Sequence, residues 1–81
     1  MKVRWTADHP DCHKALYAPE AGEVVHLAAE SHGERGWDWR AWSQTGYCRL
    51  HYGAAGTLPE AKALAEMALL AEIASRERRA A

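Results

Sequence analysis

Three stretches of this chain alternate apolar with polar residues: Val24–Glu30, Trp37–Ser43 and Tyr47–Gly53. Successive side chains on a strand point to opposite faces of the sheet. Strict alternation therefore marks a strand and also sets which residues share a face. Val25, Leu27 and Ala29 fall together in the first stretch, Trp37, Trp39 and Ala41 in the second, and Cys48, Leu50 and Tyr52 in the third. An alanine-rich run of helical period, Leu58–Arg78, follows them. The expected fold class is α+β: an antiparallel meander of three strands with one long C-terminal helix packed on one face. A fourth strand joins if Met1–Thr6, where Val3 and Trp5 alternate with Lys2, Arg4 and Thr6, forms an edge.

The connections fit this order. Gly33 and Gly36 flank a turn between the first two core strands, and Ser43-Gln44-Thr45-Gly46 reads as a hairpin connection. Gly53-Ala54-Ala55-Gly56 ends the third strand. Thr57 then caps a helix, with Glu60 three residues on as the second half of a capping box and Pro59 harmless in the first turn. Asp8–Gly22 has no clean period. Pro10 suits a first helical turn that Ala15, Leu16 and Tyr17 continue until Pro19, so this segment is expected to be irregular with a turn or two of helix. Residues 1–22 thus precede a sheet over 24–53 and a helix over 57–79, all within one domain, 1–81. The expected core is Val25, Leu27, Trp37, Trp39, Leu50, Tyr52, Leu64 and Ala68.

Length and charge narrow the function classes. Eighty-one residues allow one small core. A net charge of −1 lacks the basic excess of a general polyanion binder. The N-terminus has no continuous apolar run of the signal-peptide kind, and no stretch approaches the ~20 apolar residues of a membrane span. Two cysteines do not make a disulfide scaffold. A cytoplasmic protein without membrane contact is the expectation.

Chemistry-bearing motifs are few. His9-x-x-Cys12 with His13, and Cys48-x-x-His51, together hold enough ligands for zinc. On a regular strand, however, positions 48 and 51 point to opposite faces. Cys48 is therefore expected in the core, with no metal and no cofactor. Ser31-His32 and Asp8-His9 are only sequence neighbours, and no nucleophile-elbow or phosphate-binding glycine motif occurs, so no enzymatic activity is expected. The Arg76-Glu77-Arg78-Arg79 run complements the helix dipole.

Binding surfaces are the alternative. Trp42 alternates to the face opposite Trp37 and Trp39, beside Asp38 and Arg40. On the assigned phases it neighbours Tyr47, Arg49 and His51 of the next strand, and Val24 and His26 of the previous one. Aromatic residues and arginine dominate binding hot spots, so Arg40, Trp42, Tyr47, Arg49 and His51 form the candidate partner-binding face. On the helix, Ala61, Leu64, Ala65, Ala68 and Ala71 make a small-residue stripe for the sheet. Met67, Leu70, Ile73 and Ala74 lie outside it and form a candidate homodimer surface, unless Val3, Trp5, Leu16 and Tyr17 cover them.

Trp37-Asp38-Trp39, a hairpin, Gly56-Thr57 and Glu60-Ala61-Lys62 opening an alanine-rich helix resemble small phage and prophage proteins of unassigned role. In size and layout the chain is also similar to phage inhibitors of bacterial defence of the anti-CRISPR type. That resemblance implies a small non-enzymatic module that binds a host protein as inhibitor or adaptor. The strand–strand–strand–helix order also resembles the arm-binding domain of tyrosine integrases and the plant AP2 domain. These lay a three-stranded sheet in the DNA major groove, which implies Arg40, Trp42, Arg49 and His51 facing DNA. Two arginines on such a face are few for phosphate neutralisation.

Overall fold

The fold, taken from a computed structural model, is described for residues 3–20, 22–43 and 51–80. Five strands form one antiparallel sheet in sequence order: β1 Trp5–His9, β2 Cys12–Tyr17, β3 Val25–Ser31, β4 Trp37–Ser43 and β5 His51–Ala55. A 3-10 turn, Gly33–Arg35, joins β3 to β4, and α1, Leu58–Ala80, crosses one face of the sheet. The α+β class and the long C-terminal helix are as expected, but the sheet has five strands where three or four were expected.

The additional strand comes from the N-terminal segment. Pro10 and Asp11 form a two-residue turn between His9 and Cys12, not the start of a helix. The fixed φ of proline suits the first central position of a turn. The Asp11 N–H donates to His9 Nδ1 at 3.1 Å, and the His13 Nε2 lies 3.1 Å from the Pro10 carbonyl oxygen. Cys12–Tyr17 then pairs on both sides, with β1 and with β3.

β3 and β4 hold the expected phases. Val25, Leu27 and Ala29 are buried under the helix, as is Ala41, with Trp37 and Trp39 half-buried beside them. β5 has the opposite phase to the expected one. Ala41 pairs with His51, Trp39 with Gly53 and Trp37 with Ala55, so the odd-numbered residues face the helix. Tyr52, expected in the core, is 72% exposed on the other face. The reason is steric. A β-carbon at Gly53 would lie 2.8 Å from the Trp39 Nε1, so the indole on β4 requires an empty position opposite it on β5. Tyr47, Cys48, Arg49 and Leu50 lie outside the described residues.

The helix begins where the sequence places it. Thr57 Oγ1 accepts the Glu60 N–H at 3.3 Å, and the Thr57 carbonyl accepts the Ala61 N–H at 3.0 Å. Its buried line is Ala61, Ala65 and Leu69, with Leu64 and Ala68 half-buried on one flank and Ile73 packed on the core from the other. At 3.6 residues per turn this arc is turned by roughly 40° from the expected stripe. Ala71 faces out and Leu69 faces in. Trp5 explains the rotation. It packs beside the helix, its Nε1–H donating to Glu66 Oε1 at 3.1 Å while Lys62 Nζ lies 5.6 Å from its ring centre. That cover makes the Leu69 side of the helix interior. Ile73 therefore leaves the expected dimer surface. Met67 at 63% and Leu70 at 52% remain exposed on it, beside half-buried Ala74. No helix among the described residues is long and apolar enough to cross a membrane.

Three substitutions test this packing. Leu69→Ala is expected to cost about 2–4 kcal/mol in urea denaturation, and its neighbour Leu70→Ala no more than about 0.5 kcal/mol. Gly53→Ala should cost about 1–3 kcal/mol by crowding Trp39. A neutral Gly53→Ala would restore the phase in which Tyr52 points inward.

Candidate functional site: the open face of the sheet

The helix covers one face of the sheet. The other is covered by no element among the described residues, and the ladder registers set what it displays. β2 contributes Cys12, Lys14 and Leu16. β3 contributes His26, Ala28 and Glu30, β4 contributes Asp38, Arg40 and Trp42, and β5 contributes Tyr52 and Ala54. Ala28, at the centre, is buried by its neighbours without any helix over it. Thr6 and Asp8 of β1 continue the same face.

Side chains on this surface are already arranged across strands. His26 and Trp42 are directly opposite in the register, and their rings stack with centroids 5.2 Å apart and planes 15° from parallel. The Arg40 guanidinium lies 5.8 Å from the Trp42 ring centre, and its Nη2 donates to Glu30 Oε2 at 3.4 Å. Guanidinium over indole is an attractive geometry that also stiffens a long side chain. Lys14 Nζ is 3.3 Å from Asp8 Oδ2. His32 Nε2, in the β3–β4 connection, is 2.7 Å from Asp38 Oδ2.

These contacts divide the face. Because β3 starts where β4 ends, His26, Trp42 and Leu16 lie at one end, with Arg4 beside them. Asp8, Glu30 and Asp38 lie toward the other end. Between β4 and β5 the surface sinks into a shallow open depression of about 510 Å³ lined by Asp38, Trp39, Arg40, Tyr52, Gly53 and Ala54.

Of the expected binding residues, Arg40 and Trp42 stand together on this face. His51 does not join them. It pairs with Ala41, in the phase that faces the helix, and meets Trp42 only at a crevice that Ala68 and Glu72 also line. The one-residue phase difference in β5 exchanges His51 for Tyr52. Leu16, 52% exposed, and His26 complete the group. Leu16 belongs to a strand whose faces both mix polar and apolar residues, which hid it from periodicity.

The zinc alternative can be placed in the same frame. Cys12 points to the open face and His13 to the helix face, where its ring meets the edge of Trp37 at 5.9 Å. β2 is separated from β5 by two strands, about 14 Å at the usual spacing. The His9-Cys12-His13 group and His51 therefore do not converge. Cys48 lies outside the described residues.

Comparison with known protein families, curated proteins and solved structures finds no match for this chain.

Since Trp42 lies on the outer face, its removal should cost only the value of a cross-strand pair. Trp42→Ala is expected to lower stability by about 1 kcal/mol or less, read from the urea midpoint. A loss of about 3 kcal/mol or more would mean that Trp42 is a core residue.

Proposed function

We propose that this chain is a small non-enzymatic protein-binding module, an inhibitor or adaptor of a host protein of the kind known among small phage proteins. Its partner docks on the open face of the sheet. The observation that carries this reading is the uncovered group of Leu16, His26, Arg40, Trp42 and Tyr52. Two apolar or aromatic anchors there are more than half exposed, and an arginine is held in place beside an indole. Interfaces draw most of their affinity from such anchors.

The integrase-like alternative, a duplex laid on the same face, has the right geometry and the wrong charge. Arg4, Lys14 and Arg40 share the face with Asp8, Glu30 and Asp38. Lys14 and Arg40 are each engaged with a carboxylate. Every phosphate brought to this surface would meet an acid near each of these two cations, so net counterion release would be small.

Capture from a bacterial lysate by the immobilised chain tests the leading reading. Trp42→Ala and Arg40→Ala are each expected to weaken capture about tenfold or more, since hot-spot truncations cost about 2 kcal/mol, while leaving the domain folded. Capture equal to the parent's in both variants would remove the open face as the site. Titration with random duplex is expected to give no binding. An affinity for duplex that falls steeply with salt would establish the alternative instead.

A further inference from the structure

Among the described residues each edge of the sheet is a strand with one neighbour, and the two edges are built differently. β1 carries Asp8, a break in register between Ala7 and His9, and Pro10 immediately beyond. Charges, bulges and prolines are the means by which proteins keep an edge from pairing with another chain. The described residues of β5 have none of them. From His51 to Ala55 the register with β4 is unbroken, and these five residues include no proline, lysine, arginine or acid.

Three backbone contacts establish which groups β5 turns outward. The Ser31 N–H donates to the Asp11 carbonyl, so Ser31 faces β2 and the even-numbered residues of β3 face β4. The His32 N–H donates to the Gly36 carbonyl, continuing that alternation into β4, whose odd-numbered residues therefore face β5. Consistently, the Ala55 carbonyl oxygen points back toward Gly36, only 2.6 Å from where its β-carbon would be. Residues 51, 53 and 55 thus bond to β4. Tyr52 and Ala54 direct their N–H and C=O groups away from the sheet.

We infer that β5 pairs with β5 of a second copy of this chain, antiparallel about a two-fold axis at Gly53. Tyr52 then exchanges backbone hydrogen bonds with Ala54 of the partner subunit, and the reverse. The side chains favour a second copy over an unrelated strand. Tyr52 is a large exposed knob on the open face, and Ala54, two residues away on that face, borders the shallow depression. The two-fold axis sets each knob over the other copy's depression. Asp38, paired with Ala54 in the ladder, lies about two strand spacings, ~9.6 Å, from Tyr52 of the partner subunit. A tyrosine and an aspartate side chain together span that distance, so the phenol donates to a carboxylate. The described residues of β5, which carry no lysine, arginine or acid, meet their copy without like charges, whereas β1 would bring Asp8 toward Asp8. Twofold self-pairing is also the commonest symmetry of soluble oligomers.

This interface needs no other protein, so its test is separate from that of partner capture. Light scattering and sedimentation of the full chain are run from about 10 μM to about 1 mM, a range suited to the affinities of small interfaces. The parent should move from 9.0 kDa toward twice that mass. Ala54→Lys, which fills the depression and charges the edge, should weaken association at least tenfold with an unchanged far-UV spectrum. Met67→Lys, on the outer face of the helix, should associate like the parent. Hydrogen exchange of the parent should slow with concentration at the Tyr52 and Ala54 amides. A 9.0 kDa mass across the whole range would overturn the proposal. So would association abolished by Met67→Lys and kept by Ala54→Lys, or exchange at both amides that ignores concentration. If Ala54→Lys does not fold, the amide readout on the parent decides alone.

Discussion

Close approach of helix to sheet is the constraint on which the rest of this structure depends. The contact is made of alanine against alanine: Ala61 and Ala65 on α1, facing Ala15, Ala29, Ala41 and Ala55 on four different strands. Among the described residues, Leu27 and Leu69 are the two large side chains that are fully buried. Small side chains leave little area per residue to remove from water, so the layer must be close-packed to contribute much. The large aromatic residues cannot enter such a seam. They flank it instead: Trp5 against Lys62 and Glu66 on one side, Trp37 and Trp39 over Ala55 and Gly53 on the other.

That arrangement sets what each strand can carry. Trp39 needs glycine opposite it, which makes β5 narrow on its inner face and moves its one aromatic residue, Tyr52, outward. Trp5 needs a flank of the helix to rest on, which draws the N-terminal hairpin onto the sheet and buries Leu69. Among the described residues one long helix is set against a sheet of five strands. The second face is therefore left to short cross-strand contacts, the His26–Trp42 stack and the Arg40–Glu30 pair.

How much of this the sequence reveals depends on side-chain size. β3 and β4 are legible because Val25, Leu27, Trp37 and Trp39 alternate with charged or polar neighbours. The helix start is legible from Thr57, Pro59 and Glu60, whose roles are local. β2 is not, because Cys12, Lys14 and Leu16 share one face and His13, Ala15 and Tyr17 the other, so neither face reads as interior. β5 is misread for a related reason. Its described inward positions are Gly53, Ala55 and the polar His51, and periodicity assigns the interior to Tyr52 because it alternates in phase with Cys48 and Leu50. The steric demand of Trp39 acts across the sheet, and its one mark within β5 is Gly53, which reads from the sequence as the end of a strand. Among the described residues the candidate site inherits this error at one position: Arg40 and Trp42 follow from β4, and His51 in place of Tyr52 follows from the phase of β5.

The open face and the open edge meet at Tyr52, and their geometry is coupled. A two-fold axis perpendicular to a sheet keeps its faces distinct. In the pairing inferred for β5, both helices would lie on one side of a continuous ten-stranded sheet, and both open faces on the other. The two His26–Trp42 stacks would then be rigidly spaced, with the two β5 strands between them. A partner with two matching epitopes would meet the second at high effective concentration, whereas a partner with one would gain nothing from the pairing. Tyr52 would also change its role. In the single chain it is an exposed anchor. Across the dyad its ring would lie over a neighbouring depression, leaving Leu16, Arg40 and Trp42 as the anchors that remain accessible to another protein.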